Sequence, residues 1–388
     1  MKAEPMTTLG AAAVGPAELD AMVGQSLGRP VIVEDWEATP IPVNAIGTEA
    51  VLHLQGTARP RSNDCDGRVP WHLLVKTIRS PRHWPLLVQI PEAFRETFIA
   101  TYPWRTEADL RAAGLTDRLP DGLRVPEWYR CDDLGDDRIA LWTEWIDVAS
   151  VGWNDARYRW AAQLLGRMTA RCRDLVVDAP AVPGGSTQLR RIVEGPVMQF
   201  VVPRITDPEL RNHPLFNRVE VGSLFEDLTV LAGRLPTLID HFESRPRSIG
   251  HGDACPQNLL IPRDDPDTLV AIDWSWPHPE AIGYDLSQLL IGHAHSGSLP
   301  VDALPRVHDL LIDGFVAGLR VEDCDVSVAD VTFAFETALV VRSAYQSLPF
   351  ERLDEPLTPE LIEYTARRIA LTRYLVDLGL AIDAGGTG

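Results

Sequence analysis

The chain has 388 residues, of which 45% are apolar and 23% charged, a composition that excludes a disordered protein and favours two lobes. Asp and Glu outnumber Lys and Arg by 55 to 36, for a net charge of -19, which argues against nucleic-acid binding and favours cationic ligands only mildly. The five scattered cysteines predict reduced thiols, and no apolar stretch reaches the length of about 18 residues that a membrane-spanning helix needs. We therefore expect a cytoplasmic protein without a membrane partner.

The first third of the sequence predicts an antiparallel sheet with one helix inserted into it. Short segments rich in Val, Leu, Ile and Trp alternate with polar clusters, in chain order RPVIVEDWEA, EAVLHLQG, WHLLVKTIRS, VPEWYRCD and RIALWTEWI. The helix lies between the third and fourth segments, in PWRTEADLRAAGL, with Thr106 as its N-terminal cap and Gly114 as its end.

After about residue 150 the apolar residues recur at helical spacing. Amphipathic stripes are present over residues 153–174, 224–242, 304–319, 327–348 and 358–380. The sequence therefore predicts an α+β protein of two lobes. Residues 1–146 would form a small, mostly β N-terminal lobe, and residues 147–388 a larger helical lobe that carries a catalytic loop at 249–276 and a substrate pocket.

Four polar residues lie among apolar runs within that loop. His251, Asp253 and Asn258 form the pattern H-x-D-x-x-x-x-N, and Asp273 ends the apolar run LVAID. A hairpin between the two runs would let Asn258 and Asp273 face one another and offer oxygen ligands to Mg²⁺. Asp253 would then lie beside the metal and be able to accept a proton from an attacking hydroxyl, which is the arrangement that phosphoryl transfer requires.

These motifs resemble those of the aminoglycoside phosphotransferase and choline kinase family, which has a protein-kinase-like fold. HGDACPQN is similar to the catalytic loop of that family, and IDW to its metal-binding segment. PEAIGYDLSQLL resembles the segment whose Asp braces the loop, a role that falls here to Asp285. The resemblance also implies that His251 packs inside the loop.

The resemblance extends upstream and covers about residues 30–295. LLVKTI resembles the strand whose lysine reaches the α and β phosphates, which assigns that role to Lys76. The inserted helix resembles the element that supplies the carboxylate partner of the lysine, here Glu107. The backbone from Glu144 to Ile146 would contact the nucleobase. Together these matches imply ATP or GTP as co-substrate and Mg²⁺ as cofactor.

Some positions depart from the family or stay open. The segment between the first two strands has only Gly47 instead of a glycine-rich loop, and the excursion at residues 56–70 has no predicted role. Cys255 stands where protein kinases carry a lysine, and both a substrate contact and an inert buried thiol are consistent with it.

The candidate substrate contacts follow Asp273 in the sequence and are Trp276, His278 and Glu280. His293 and His295 could suggest a metal pair, but a helix end is the simpler interpretation because no third ligand has suitable spacing. The acidic cluster at residues 321–330 would either line a pocket for a cationic substrate or, as we favour, begin a helix.

The sequence therefore predicts a small-molecule kinase that transfers the γ-phosphoryl group of a nucleoside triphosphate to a hydroxyl. By family analogy the acceptor would be an antibiotic, and the alternative is a sugar, an amino alcohol or another metabolite. A hypothesis of another class is a catalytically dead member that binds nucleotide and acts as a partner module. The intact residues Lys76, Asp253, Asn258 and Asp273 favour the enzyme.

Overall fold

A computed structural model describes residues 4–61, 67–175, 187–274 and 279–383, with side chains from residue 7 onward. Its N-terminal part contains a five-stranded sheet, formed by β1 (Val31–Ile41), β2 (Thr48–Pro60), β3 (Val69–Arg79), β5 (Trp128–Gly135) and β6 (Arg138–Glu144). The strand order is β1-β2-β3-β6-β5, and all neighbours pair antiparallel. The predicted antiparallel sheet is therefore confirmed, and each of its strands overlaps one of the five predicted segments.

The two faces of the sheet differ because successive side chains of a strand point in opposite directions. On β3, Leu73 and Val75 are buried on one face, whereas Leu74 and Lys76 are on the other, half-buried face. The sequence analysis missed what covers the first face: two helices, α1 (Glu4–Leu9) and α2 (Pro16–Ser26), pack there. The opposite face of the sheet is not covered by these two helices and borders the cleft described below.

Within the described part of the excursion at residues 56–70, most residues are strand. Residues 56–60 complete β2 and residues 69–70 begin β3, so the long hairpin simply continues past the predicted segments. Residues 62–66 of the excursion lie outside the described residues.

Two helices follow β3. The predicted cap is wrong by one residue, because Arg105 precedes the helix α4 (Thr106–Ala112) as its N-cap and Thr106 is its first residue. The chain leaves the helix through Gly114, whose φ of 77° is in the left-handed region. Another helix, α3 (Glu92–Thr101), precedes it and was not predicted. Its residues show no repeat of buried positions, which explains why the apolar pattern did not reveal it.

The C-terminal part is mainly helical. Its helices are α5 (Asp155–Arg171), α6 (Gln188–Ile192), α7 (Val202–Thr206), α8 (Pro208–Arg211), α9 (Leu224–Glu243), α10 (Leu286–Ser296), α11 (Leu304–Val321), α12 (Val328–Ser343) and α13 (Pro359–Ala381). A π-helix at Val193–Val201 joins α6 to α7. The predicted stripes correspond to α5, α9, α11, α12 and α13, and their apolar faces form one large core. None of the helices within the described ranges is both long and apolar enough to cross a membrane.

Short strands lie among these helices and shape the region that faces the sheet. The strands are β4 (Leu123–Arg124), β7 (Arg247–Ile249), β8 (Leu259–Leu260), β9 (Leu269–Ala271) and β10 (Pro279–Ala281). The hairpin expected between Asn258 and Asp273 is present, since β8 and β9 pair antiparallel with Leu259 opposite Ala271. The strand β4 joins this hairpin as a parallel neighbour of β9, and β7 pairs with β10.

Candidate functional site

A cleft of about 950 Å³ lies between the open face of the sheet and the β8–β9 hairpin. Its walls are mostly apolar, with Val51, Leu74 and Leu141 on the sheet and Ala271 on the hairpin. Predicted site residues line the same space, namely Lys76, Glu107, Glu144, Ile146, Asn258 and Asp273. A largely apolar cleft with a few convergent polar groups is the usual form of a small-molecule site.

Lys76 lies at the polar end of the cleft between two carboxylates. Its Nζ is 2.6 Å from Glu107 Oε2 and 2.9 Å from Asp273 Oδ1. Burial alone would lower the pKa of Lys76, but the two carboxylates outweigh burial and raise the pKa above its ordinary value. The ammonium is therefore held charged, and the predicted pairing of residues 31 positions apart is present in the structure.

Asp273 lies two residues after the end of the hairpin strand β9. Its φ of 61° is in the left-handed region, which is uncommon for a residue other than glycine. Such backbone conformations concentrate at functional sites, where the surrounding contacts must hold them in place. In Asp273 this conformation accompanies a side chain that faces Lys76 and the cleft, 43% exposed.

Hydrogen bonds to Asp285 hold the backbone of the loop that carries Asp253. The carboxylate oxygens of Asp285 accept hydrogen bonds from the backbone N–H groups of His251 and Gly252, each at 2.8 Å. A Cβ atom at Gly250 would lie 2.3 Å from Asp285 Oδ2, so this close approach requires glycine. The structure thus places Asp285 where the resemblance assigned a brace.

His251 is completely buried inside the loop. Its Nε2 is 3.0 Å from the carbonyl oxygen of Ile272, and its ring stacks at a tilt on Trp274 with 4.3 Å between centroids. Burial lowers the pKa of His251, although Asp285 opposes the shift. A neutral, packed imidazole fits the structural role that the sequence resemblance implied.

Asp253 and Asn258 face one another across the turn. The amide Nδ2 of Asn258 donates to the backbone oxygen of Asp253 at 2.9 Å and to its Oδ2 at 3.2 Å. The amide oxygen of Asn258 has no hydrogen-bond partner among the described residues. Burial raises the pKa of Asp253, while the guanidinium of Arg342 acts in the opposite direction.

The predicted hinge follows β6. The side chain of Glu144 forms a bidentate pair with Arg124, at 2.6 and 2.8 Å, and its N–H donates to the carbonyl of Glu127. Neither the backbone N–H nor the C=O of Ile146 has a hydrogen-bond partner within the described residues. Ile146 therefore lines the cleft with backbone groups available to a ligand, whereas the N–H and side chain of Glu144 are already engaged.

The candidate substrate contacts are less well placed. Trp276 and His278 lie outside the described residues. Glu280 is only 3% exposed, and its Oε1 accepts a hydrogen bond from the backbone N–H of Gln188 at 2.7 Å. Its carboxylate is therefore inside the protein and does not line the cleft, so a substrate contact at Glu280 stays a prediction without support from its position.

The two histidines near a helix end have ordinary protein partners. His293 Nδ1 is 2.8 Å from the hydroxyl of Tyr158, and His295 Nε2 is 2.9 Å from that of Ser347. No group of three or more His, Cys, Asp or Glu side chains is arranged to bind a metal in the ranges that the structure describes. Both histidines lie in the last turn of α10, as the simpler interpretation held.

The acidic cluster at residues 321–330 and Cys255 are the other positions that the sequence left open. In the acidic cluster, the Asp330 carboxylate accepts a hydrogen bond from the Ser327 hydroxyl and pairs with Arg245 at 2.9 Å. The Ser327 side chain accepts from the backbone N–H of Asp330 and so caps α12, as expected for a helix start. Burial raises the pKa of the Cys255 thiol to about 11, which favours an inert thiol over a reactive one.

The sequence analysis missed two further residues near the cleft and the loop. Tyr102, which follows α3, lies against the turn at Gly47, where an added Cβ would be 3.1 Å from its ring. Arg342, from α12, lies 3.5 Å from Asp253 Oδ1. Neither belongs to a local motif, and α12 carries other polar residues besides Arg342, so the sequence gives no signal that singles either residue out.

Comparisons with known proteins show the fold. No protein-family model and no curated protein matches the chain. A solved microcompartment-associated aminopropanol kinase is similar with 17% identity and a TM-score of 0.50, over 92% of this chain and 97% of the other. An ethanolamine kinase from Plasmodium vivax is similar with 11% identity and a TM-score of 0.50, over 94% and 84%.

The chain therefore has a two-lobed, protein-kinase-like fold. The fold expected from the sequence resemblance is confirmed.

Proposed function

We propose that this protein is a small-molecule kinase that transfers the γ-phosphoryl group of a nucleoside triphosphate to a hydroxyl. The observation that carries the proposal is the convergence of Lys76, Glu107 and Asp273 at one end of an apolar cleft, next to a braced loop bearing Asp253 and Asn258. Phosphoryl transfer needs positioning and charge stabilisation more than covalent chemistry from the protein, and these groups supply both.

The two lobes would divide the work. Residues 1–146 would bind the nucleotide, with the base between Val51 and Leu74 and against the backbone of Ile146. The phosphates would then extend towards Lys76, whose positive charge is secured by its two carboxylate partners. Residues 147–388 would bind the acceptor.

The donor set fits a magnesium ion. Asn258 contributes an amide oxygen and Asp273 a carboxylate, both hard ligands, and they flank the same hairpin. Mg²⁺ usually keeps waters and phosphate oxygens in its coordination shell, so two protein ligands suffice. When bound, the ion would neutralise negative charge on the triphosphate.

Asp253 would act as the general base. It would orient the acceptor hydroxyl and take its proton while the acceptor oxygen attacks the γ-phosphorus. The carboxylate is already held by Asn258, and Asp285 fixes the loop beneath it.

The acceptor is the open part of the proposal. The resemblance of the motifs favours a hydroxyl of an antibiotic, in which case the protein would confer resistance. A second candidate is an amino alcohol, favoured by the names of the two solved kinases that share the fold at a TM-score of 0.50.

The decisive experiment measures phosphoryl transfer from ATP and from GTP to a panel of aminoglycoside, nucleoside and peptide antibiotics, simple sugars and amino alcohols. We expect Mg²⁺-dependent transfer to one class, lost in Asp253→Ala. Killing curves of a sensitive host expressing the chain then test resistance, and protection that persists in Asp253→Ala would exclude antibiotic phosphorylation as its cause. Mg²⁺-dependent nucleotide binding without transfer to any acceptor would instead favour a catalytically dead binding module.

A further inference from the structure

A cation from the distant helix α12 lies against the loop that carries Asp253. Arg342 Nη1 donates to the backbone oxygen of Gly252 at 2.7 Å, and Nη2 lies 3.5 Å from Asp253 Oδ1. The side chain is only 12% exposed. This contact joins residues 89 positions apart, so no local sequence motif could encode it.

Gln288, on α10, completes the contact. With its amide oriented by the surrounding hydrogen bonds, the oxygen of Gln288 accepts from Arg342 Nε at 2.7 Å and from Nη2 at 2.9 Å. Its amide nitrogen donates to Asp253 Oδ1 at 3.3 Å. The guanidinium also lies over the ring of Tyr284, 5.0 Å from the centroid, so its position is fixed from several sides.

The two oxygens of the Asp253 carboxylate thus have different partners. Oδ2 accepts from Asn258, inside the loop, whereas Oδ1 faces Arg342 and Gln288, from two helices outside it. The terminal torsion of an aspartate is soft, so a contact at one oxygen alone would leave the carboxylate free to rotate. The angle of this carboxylate is therefore set jointly by the loop and by α10 and α12.

Arg342 is not arranged to bind a ligand itself. All three guanidinium nitrogens have acceptors within the protein, on Gly252, Asp253 and Gln288. Its planar fork matches these acceptors in a way that the single ammonium of a lysine cannot.

We propose that Arg342 is a positioning residue, which together with Gln288 holds the Asp253 carboxylate at the angle needed to receive the acceptor proton. The inference rests on the proposed function. In the step it serves, the acceptor O–H bond breaks and its proton moves to Asp253. The acceptor oxygen bonds to the γ-phosphorus, and the bond to the leaving diphosphate breaks with its electron pair on the nucleoside diphosphate.

The test compares Arg342→Gln and Arg342→Lys with the matched control Arg368→Gln. Arg368 also donates to backbone carbonyls, of Ser347 and Gln346, and lies over a tyrosine ring, but its hydrogen bonds within the described ranges involve no residue of the loop. We expect Arg342→Gln to lower kcat by about 10- to 100-fold, as small displacements of catalytic groups do. The nucleotide Kd should stay within about twofold because Arg342 does not line the cleft. Arg342→Lys should recover part of the rate, and Arg368→Gln should change only the melting temperature.

The proposal would be overturned by a wild-type kcat in Arg342→Gln. It would also be overturned if Arg368→Gln lost as much rate and nucleotide affinity as Arg342→Gln. If Arg342→Gln does not fold, Gln288→Met tests the same contact with an apolar side chain of similar length. Its kcat should fall by about 3- to 10-fold at unchanged nucleotide Kd, and an unchanged kcat would contradict the role.

A measurement without turnover separates this proposal from the proposed function. The ¹³C-carboxyl NMR signal of Asp253, assigned with Asp253→Asn, should move at constant pH in Arg342→Gln and in Gln288→Met but not in Arg368→Gln. If the signal moves in these variants but the wild-type protein phosphorylates no acceptor, the proposed function is wrong while the control of the Asp253 carboxylate by Arg342 and Gln288 stands. Transfer activity with an unmoved signal would do the reverse.

Discussion

The two sides of the cleft hold their charges in opposite ways. What we call the sheet side is the group around Lys76 of β3, a cation shared by two carboxylates, Glu107 of α4 and Asp273, which follows β9. On the loop side one carboxylate, Asp253, is held by one cation, Arg342, and by side-chain amides. The contacts of Lys76 therefore leave one negative charge in excess, which a metal cation would balance, whereas Arg342 pairs with Asp253 one to one and fixes the angle of its carboxylate. Changes on the sheet side should affect nucleotide binding as well as rate, and changes on the loop side should affect rate alone.

The largest effect should come from Asp253→Asn. The amide cannot accept the acceptor proton as a carboxylate does, so kcat should fall by about 10²- to 10⁴-fold. Nucleotide affinity should stay nearly unchanged, because Asp253 does not line the cleft. Turnover assays and nucleotide titrations check this pair of outcomes, and a loss of affinity as large as the loss of rate would remove the difference between the two sides.

Asp273→Ala should affect both measurements, because it removes a proposed metal ligand and a partner of Lys76. We expect nucleotide affinity and kcat to fall together, with the affinity losing much of its dependence on Mg²⁺. Nucleotide titrations at several Mg²⁺ concentrations test this. An unchanged Mg²⁺ dependence would mean that Asp273 is not a ligand.

Lys76→Ala should lower the rate by about 2 to 4 kcal/mol of transition-state stabilisation, the scale of a lost electrostatic contact. Glu107→Ala should act in the same direction but more weakly, since it only orients Lys76. Because the two side chains are in contact at 2.6 Å, the double variant should lose little more than Lys76→Ala alone. A double-mutant cycle of kcat/KM decides, and additive losses would show that the two residues work independently.

The residues that the sequence could predict come from both sides of the cleft. Lys76, Glu107, Asp253, Asn258 and Asp273 each lie in a short motif, because each is positioned by the strand, helix or hairpin in which it occurs. The alternating burial of β3 and the hairpin of β8 and β9 are local consequences of strand geometry. The sequence could therefore predict the two elements that border the cleft.

The missed features depend on packing between distant segments. Arg342 reaches the loop only because α12 packs against α10, and nothing in its neighbourhood along the chain indicates a polar target. The helix α2 was missed because its glycine and polar residues weaken the apolar stripe, although α2 packs on the outer face of the sheet together with α1. Glu280 was placed near the cleft from its position after Asp273, but the chain turns it inward to bond Gln188.

The smallest predicted effect lies away from the cleft and tests whether charge in the helical lobe can change without affecting either side. His308, on α11, has Nδ1 3.2 Å from Asp309 Oδ1 and Nε2 3.2 Å from Glu336 Oε1, and it stacks on Phe335. Burial would lower the pKa of His308, but Glu336 and Asp309 outweigh it and raise the pKa above the ordinary value of 6.5. The folded protein therefore holds this proton more tightly than the unfolded chain does. The resulting stability is complete below about pH 6.5 and is lost as the pH rises through the raised value.

His308→Gln should therefore lower the free energy of unfolding more at pH 6 than at pH 8.5, because only the protonated imidazole gains from its two carboxylate partners. Urea unfolding of both proteins at the two pH values measures this difference. Nucleotide affinity and kcat should not change, because neither α11 nor His308 lines the cleft. An equal destabilisation at both pH values would show that His308 contributes through packing on Phe335 alone. A change in kcat would show instead that α12, which carries both Glu336 and Arg342, transmits charge changes to Asp253.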